Sequence, residues 1–149
     1  MRVVITGGGG FTGSRLAKAL LARAALAGPD GTTQKITRLV LAAQAFPDLP
    51  EDARPATLAG DISDTRLAAR ASPPDTASIF HLAAVVSGAA EADFDLGMRV
   101  NLGGVRAVLE QARRGVRPPR LVFASSGADF GGELPAVPHD STTQMRRTY

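Results

Sequence analysis

The chain is 149 residues long and 44% hydrophobic, which suits one domain whose core takes roughly 70% of the unfolded surface out of water. It has no cysteine and only two histidines, His81 and His139, so disulfides and a zinc ligand set are excluded, no metal is expected, and a reducing, cytoplasmic compartment is. Net charge is +3, the arginines gather without interleaved aromatics at Arg113, Arg114, Arg117, Arg120 and at Arg146, Arg147, and the longest apolar stretch, Leu16 to Ala27, is broken by Lys18 and Arg23, so neither nucleic acid nor membrane is an expected partner.

Val3 to Ile5 is a β-branched run that predicts a buried strand, and Phe11 onward is helical by pattern, with Leu16, Leu20 and Ala24 on one face. Between them lies Thr6-Gly7-x-x-Gly10-x-x-Gly13. Gly7 can take the positive φ of a tight turn, Gly10 has no Cβ to hold a pyrophosphate away, and Gly13 lets the helix lie close on the strand. The amides of Phe11 and Thr12, at the helix start, have no intrahelical acceptors and point at any anion there, each contact contributing about 0.3 to 1 kcal/mol. A run that also holds Gly8 and Gly9 can be a flexible turn, but a strand before and a helix after are the context of a phosphate cradle.

Gly28-Pro29-Asp30-Gly31 ends the first helix in a turn. Ile36 to Ala42 reads as a second strand, Gln44 to Pro55 as irregular, and Ala56 to Ala59 as a third strand. Gly60-Asp61-Ile62-Ser63-Asp64 follows, with Ser63 placed to cap a helix over Thr65 to Ala71. After Pro73-Pro74, Ser78 to Ala84 is a continuously apolar fourth strand around His81. A long helix is expected from Glu91 to Arg114, acidic at its start, basic at its end, capped by Gly115, with an apolar stripe of Phe94, Met98, Val105, Val108 and Ala112. Arg120 to Ala124 is the fifth strand, running into Ser125-Ser126-Gly127.

Strands alternating with helices demand right-handed crossovers and a parallel sheet. The expected fold is α/β, a doubly wound sheet of order 3-2-1-4-5 between helical layers. Its switch point falls between the first and fourth strands, where a ligand sits across their carboxyl ends. Ala83 and Ala84 leave room there, or simply suit a tight core. Asp61 can accept from an adenine amino group with Ile62 against the ring, or can cap a helix. Asn101 falls on the expected buried face of the long helix, so its amide must be bonded, as a structural tie or in a polar relay. Ser126 and Tyr149 can polarise and deprotonate a hydroxyl, or can be a loop hydroxyl and a surface aromatic.

Taken together and in order, the glycine loop, Gly60-Asp61-Ile62, Phe80-His81-Leu82-Ala83-Ala84, Asn101-x-x-Gly104, and Leu121-Val122-Phe123-x-Ser125-Ser126 with Phe130-Gly131 resemble the extended short-chain dehydrogenases/reductases, the NAD-dependent sugar epimerases and dehydratases. The resemblance implies a Rossmann-type fold binding NAD. It also implies a cofactor site of Gly7, Gly10, Phe11, Thr12, Gly13, Asp61, Ile62, Leu82, Ala83, Ala84 and Asn101. Within the group, His81 to Gly97 and Leu26 to Gly31 look most like a sugar-acid dehydrogenase, which implies oxidation of a C2 hydroxyl, oriented by Ser126 and deprotonated by Tyr149. A nucleotide-sugar epimerase or reductase, and a non-catalytic dinucleotide-binding module, are the alternatives.

The chain departs from the family's pattern in three places. Leu41-Ala42-Ala43-Gln44 has no acid at the end of the second strand, which leaves NADP open beside NAD. Thr12 replaces a larger aliphatic. The lysine expected four residues after Tyr149, and the later strands and substrate-binding part, are not in the sequence. The expectation is therefore an incomplete domain over residues 1–149, with the cradle present and catalysis weak or absent. The resemblance also implies a homodimer through the helix Glu91 to Arg114.

Overall fold

The computed structural model describes residues 1–47, 52 and 54–126. In chain order the elements are β1 (Arg2–Thr6), α1 (Phe11–Arg23), β2 (Ala25–Ala27), β3 (Thr33–Lys35), β4 (Arg38–Ala43), β5 (Pro55–Ala59), α2 (Thr65–Ala71), β6 (Thr76–His81), α3 (Ser87–Ala92) and α4 (Phe94–Gly97). A π-helical segment, Met98–Gly104, joins α4 to α5 (Val105–Ala112), and β7 (Arg120–Phe123) follows. Five strands form one parallel sheet in the order β5-β4-β1-β6-β7. That is the 3-2-1-4-5 order expected from the sequence, and the fold is of the Rossmann type.

Successive residues of a strand face opposite ways, and the core divides accordingly. Val3, Ile5, Leu39 and Leu41 meet Ala17, Leu20 and Leu21 of α1 on one side. Val4, Val40, Ala42 and Ile79 meet Ala68 and Ala71 of α2 and Ala107 and Val108 of α5 on the other. Each fully buried Val, Leu or Ile stabilises by roughly 1.5 to 3 kcal/mol, so the three layers hold β1 rigidly at the centre.

The first helix is shorter than its apolar pattern. It ends at Arg23, where Ala24 turns left-handed at φ 58 and donates to the Leu20 carbonyl at 2.9 Å. Ala25–Ala27 then pairs antiparallel with Thr33–Lys35, a hairpin pinned where the Ile36 amide meets the Ala24 carbonyl at 2.8 Å. The buried face is Gly13, Ser14, Ala17, Leu20 and Leu21 rather than Leu16, Leu20 and Ala24.

Two caps also differ. Asp61 captures both the Ser63 amide and hydroxyl, so Ser63 is occupied in a local turn and Asp64 caps α2 by accepting from the Arg66 amide at 2.8 Å. Gly115 is no left-handed cap: α5 ends on Arg113 in right-handed geometry, and the Gly115 amide reaches the Ala112 carbonyl at 3.3 Å.

The single helix expected from Glu91 to Arg114 is interrupted. Asp93 leaves helical geometry at φ −139, ψ 91 and caps α4 through the Leu96 amide at 2.9 Å. The π-helical segment then rotates the inward stripe, which becomes Val100, Gly104, Ala107 and Val108, while Phe94 and Met98 are 71% and 45% exposed. A uniform 3.6-residue period cannot anticipate that change of phase. β6 stops at His81, three residues before the expected Ala84, and Leu82 to Val86 leave the sheet.

Candidate functional site

At the centre of the sheet β1 and β6 lie side by side, with Thr6 opposite His81. The chain leaves β1 toward α1 on one face and leaves β6 toward α3, α4 and α5 on the other. The crevice between their carboxyl ends is the switch point.

Three glycines shape the β1 side. Gly7 has φ +70, and a Cβ on it would lie 2.8 Å from the Ala83 nitrogen and the Leu82 carbonyl carbon. A Cβ on Gly13 would run into the Gly7 carbonyl oxygen, so α1 starts in contact with the loop. Gly10 differs: its Cβ would meet only the Gly7 oxygen, at 3.3 Å. The Gly10 amide donates to the Gly7 carbonyl at 3.0 Å, and Gly10 begins α1 with no side-chain cap and no acid in the first turn. The amides of Phe11, Thr12 and Gly13 therefore open the helix without intrahelical acceptors, and the helix dipole makes this end attractive to anions. The Phe11 side chain is 74% exposed, with the Arg15 guanidinium 4.4 Å from its ring centre.

Two cavities meet at this crevice. One, of about 250 Å³, is lined by Gly7, Gly10, Ala43, Gln44, Asp61, Ile62, Leu82, Ala83 and Ala84 among others. The other, of about 580 Å³, is lined by Ala83, Ala84, Val85, Asn101, Phe123 and Ser126 among others. Ala83, Ala84 and Val85 are common to both. Gly13 is buried beneath the loop and Thr12 is exposed at the helix start. Tyr149 lies outside the described residues.

Asp61 sits at the end of β5 and is well engaged. One carboxylate oxygen accepts the Ser63 amide at 2.9 Å and hydroxyl at 2.8 Å, and the other accepts Arg99 Nε at 3.3 Å. Burial works to raise its pKa, but the bonds from Ser63 and the charge of Arg99 outweigh it and hold the carboxyl below its ordinary value. Ile62 is 6% exposed and belongs largely to the core.

Asn101 is exposed, not buried as the helical period implies, because the π-helical segment turns it toward the crevice. Its side-chain oxygen accepts the Val85 amide at 2.8 Å and its nitrogen donates to the Val85 carbonyl at 3.0 Å. This two-point contact ties down the segment that leaves β6, as a structural tie would.

A second tie involves residues whose roles were not read from the sequence. Thr6 and His81 are 1% and 2% exposed. Thr6 Oγ1 lies 2.7 Å from His81 Nδ1 and accepts the Ala83 amide at 3.3 Å. When the hydroxyl donates to Nδ1 the imidazole proton lies on Nε2, a buried atom with no hydrogen-bond partner among the described residues. Burial lowers the histidine pKa, and its ring stacks on Phe123 with centroids 5.8 Å apart. The available signal was a polar residue at the carboxyl end of each of two largely apolar strands, at positions the parallel register brings opposite.

Among the described residues no group of three or more His, Cys, Asp or Glu could hold a metal, and no helix is long and apolar enough to cross a membrane.

The model of the NAD dependent epimerase/dehydratase family matches residues 3–149. A D-erythronate dehydrogenase of Cupriavidus necator is 51% identical over 142 residues, covering 95% of this chain and 44% of that protein. A D-erythronate dehydrogenase of Haemophilus influenzae is 41% identical over 143 residues, covering 95% of this chain and 43% of that protein. The chain thus spans less than half the length of these relatives. Among solved structures, a nucleoside-diphosphate-sugar epimerase from Agrobacterium tumefaciens superimposes with TM-score 0.72 at 34% identity, covering 91% of this chain and 40% of that one. A strand, glycine loop and helix at the switch point, in a chain matched over residues 3–149, lead to one conclusion: it belongs to the NAD dependent epimerase/dehydratase family.

Proposed function

We propose that this chain is the cofactor-binding part of an NAD-dependent dehydrogenase that oxidises the C2 hydroxyl of a four-carbon sugar acid, D-erythronate, to the 2-oxo acid. The observation that carries this reading is the 51% identity with the Cupriavidus necator enzyme over 142 residues. The residues present suit a dinucleotide: open amides at the start of α1, a Gly10 whose missing Cβ leaves space, and small residues at the crevice.

In this reading the amides from Phe11 to Gly13 hold the diphosphate, with Gly7 and Gly10 keeping the loop out of its way. Asp61 and Ile62 receive the adenine, and Leu82, Ala83 and Ala84 make room for the nucleotide. When bound, NAD supplies the hydride acceptor. Ser126 orients the substrate hydroxyl beside Asn101, and Tyr149 takes its proton. A free phenol has a pKa near 10, so at pH 7 only about one in a thousand is ionised; recovering that deficit takes roughly 4 kcal/mol from neighbouring positive charge. The protein works in the cytoplasm, and a second copy covers the exposed Phe94, Met98, Leu102 and Leu109 in a homodimer.

A chimera tests the reading. This chain replaces the matching part of the Cupriavidus necator enzyme, and NADH formation is followed with D-erythronate and with other sugar acids. Activity on D-erythronate within tenfold of the parent is expected. The chain alone is expected to bind NAD. A folded chimera that releases no NADH contradicts the proposal. The 34% identity with the epimerase favours sugar-nucleotide chemistry as the second reading, which predicts interconversion of UDP-sugars without net NADH.

A further inference from the structure

We propose that the chain carries a further binding site, for a neutral sugar or other polyol, in a cavity at the end of the sheet opposite the crevice. It stands apart from the dehydrogenase reading, since none of its residues lines the two crevice cavities.

The cavity measures about 490 Å³, within the range of small-molecule sites. It lies where β6 begins, beside Asp75 and Thr76, whereas the crevice lies where β6 ends, at His81. β6 spans six residues, which sets the two about 17 Å apart. Three turns from distant parts of the chain wall it: Pro29 and Asp30 between β2 and β3, Pro74 and Asp75 before β6, and Arg117 and Pro118 before β7. Each turn is fixed by bonds of its own. Asp30 Oδ1 accepts the Thr32 amide at 3.0 Å and hydroxyl at 2.6 Å, and the Gly31 amide donates to the Gly28 carbonyl at 3.0 Å. The Val116 amide donates to the Pro74 carbonyl at 3.1 Å, which ties the second turn to the third. Walls already held in this way lose little freedom when a ligand enters.

The three prolines give the walls rigid C–H surface without main-chain donors. Between them stand acceptors and one donor. Asp30 spends Oδ1 on Thr32, and Asp75 spends Oδ2 on Arg2 at 3.2 Å, so each carboxylate keeps a second oxygen to offer. The Arg117 guanidinium makes no hydrogen bond among the described residues and acts on Asp30 by charge alone. With Arg2 and Arg117 against Asp30 and Asp75, the charges cancel. An anion would pair with Arg117 but face two carboxylates, and a cation would meet the reverse conflict. A hydroxyl donates and accepts at once, so neighbouring hydroxyls of a polyol engage carboxylate and guanidinium together, while its C–H face lies on the prolines.

The test is a titration of the purified chain followed by NMR, with three molecules of one shape and different charge: D-glucose, glucosamine as its ammonium, and glucuronate. The amides of Ala77 and Val116 report on the cavity and that of Ala83 on the crevice. Glucose is expected to move the first two saturably and to leave Ala83 in place, and both charged analogues to bind the cavity at least fivefold more weakly. Arg117→Ala, at an exposed position, is expected to weaken glucose about fivefold, the effect of one lost hydrogen bond, at an unchanged melting temperature. No saturable movement at Ala77 and Val116 with glucose, a charged analogue bound there as tightly as glucose, or a folded Arg117→Ala of unaltered affinity overturns the proposal and leaves the dehydrogenase reading standing.

Discussion

The loop after β1 and the segment after β6 face each other across the crevice and keep their shapes by opposite means. Gly7 and Gly13 allow main-chain contacts so close that any side chain would collide. Leu82 to Val86, which leave the sheet, are held by side chains: Thr6 takes the Ala83 amide and Asn101 takes both main-chain groups of Val85. One side fails when atoms are added and the other when atoms are removed.

The largest effect is expected from adding one carbon to the loop. Gly13→Ala forces a methyl against the Gly7 carbonyl and costs about 3 kcal/mol, measurable as a lower urea midpoint. Thr6→Val keeps the shape but strips partners from the Ala83 amide and His81 Nδ1, at about 2 kcal/mol in the same assay. Asn101→Ala, on the exposed side, costs about 1 kcal/mol because water replaces much of what is lost. If Asn101→Ala proved more damaging than Gly13→Ala, the contrast between the two sides would be wrong.

The gentlest probe is pH. Burial lowers the His81 pKa below its ordinary 6.5 in the fold, so the unfolded chain binds the proton more readily. The histidine contribution is complete above pH 6.5 and is lost as pH falls from there through the folded value. Melting temperature should therefore drop between pH 7 and pH 5, above the range where carboxylates titrate. His81→Phe, which has no proton to bind, should flatten that slope.

The glycine side was the legible one. Spacing alone located Gly7 and Gly13, because each answers a steric demand of the backbone, and the crossover rule then fixed the strand order. The β6 side was less legible because its contacts join distant positions. Thr6 and His81 are 75 apart in sequence, and nothing local links them. Asn101 was noticed as a polar residue on a helix, but a regular period put it inside, and only the π-helical segment turns it to Val85. The end of α1 was hidden for another reason: Ala24 takes a left-handed conformation that glycine ordinarily takes, so no local signal separated helix from hairpin. Ser63 and Asp64 are both good caps, and Asp61 decided between them by engaging Ser63.

In the dehydrogenase reading, main-chain amides beside Gly10 hold the diphosphate of a dinucleotide. Gly10→Ala examines it most directly, because the added methyl meets little of the protein and should change stability by less than about 1 kcal/mol. Calorimetry with NAD should show one site per chain in the wild type and at least a tenfold weaker Kd in Gly10→Ala at an unchanged melting temperature. Equal affinity in the two proteins, or no binding to the folded wild type, would contradict the claim.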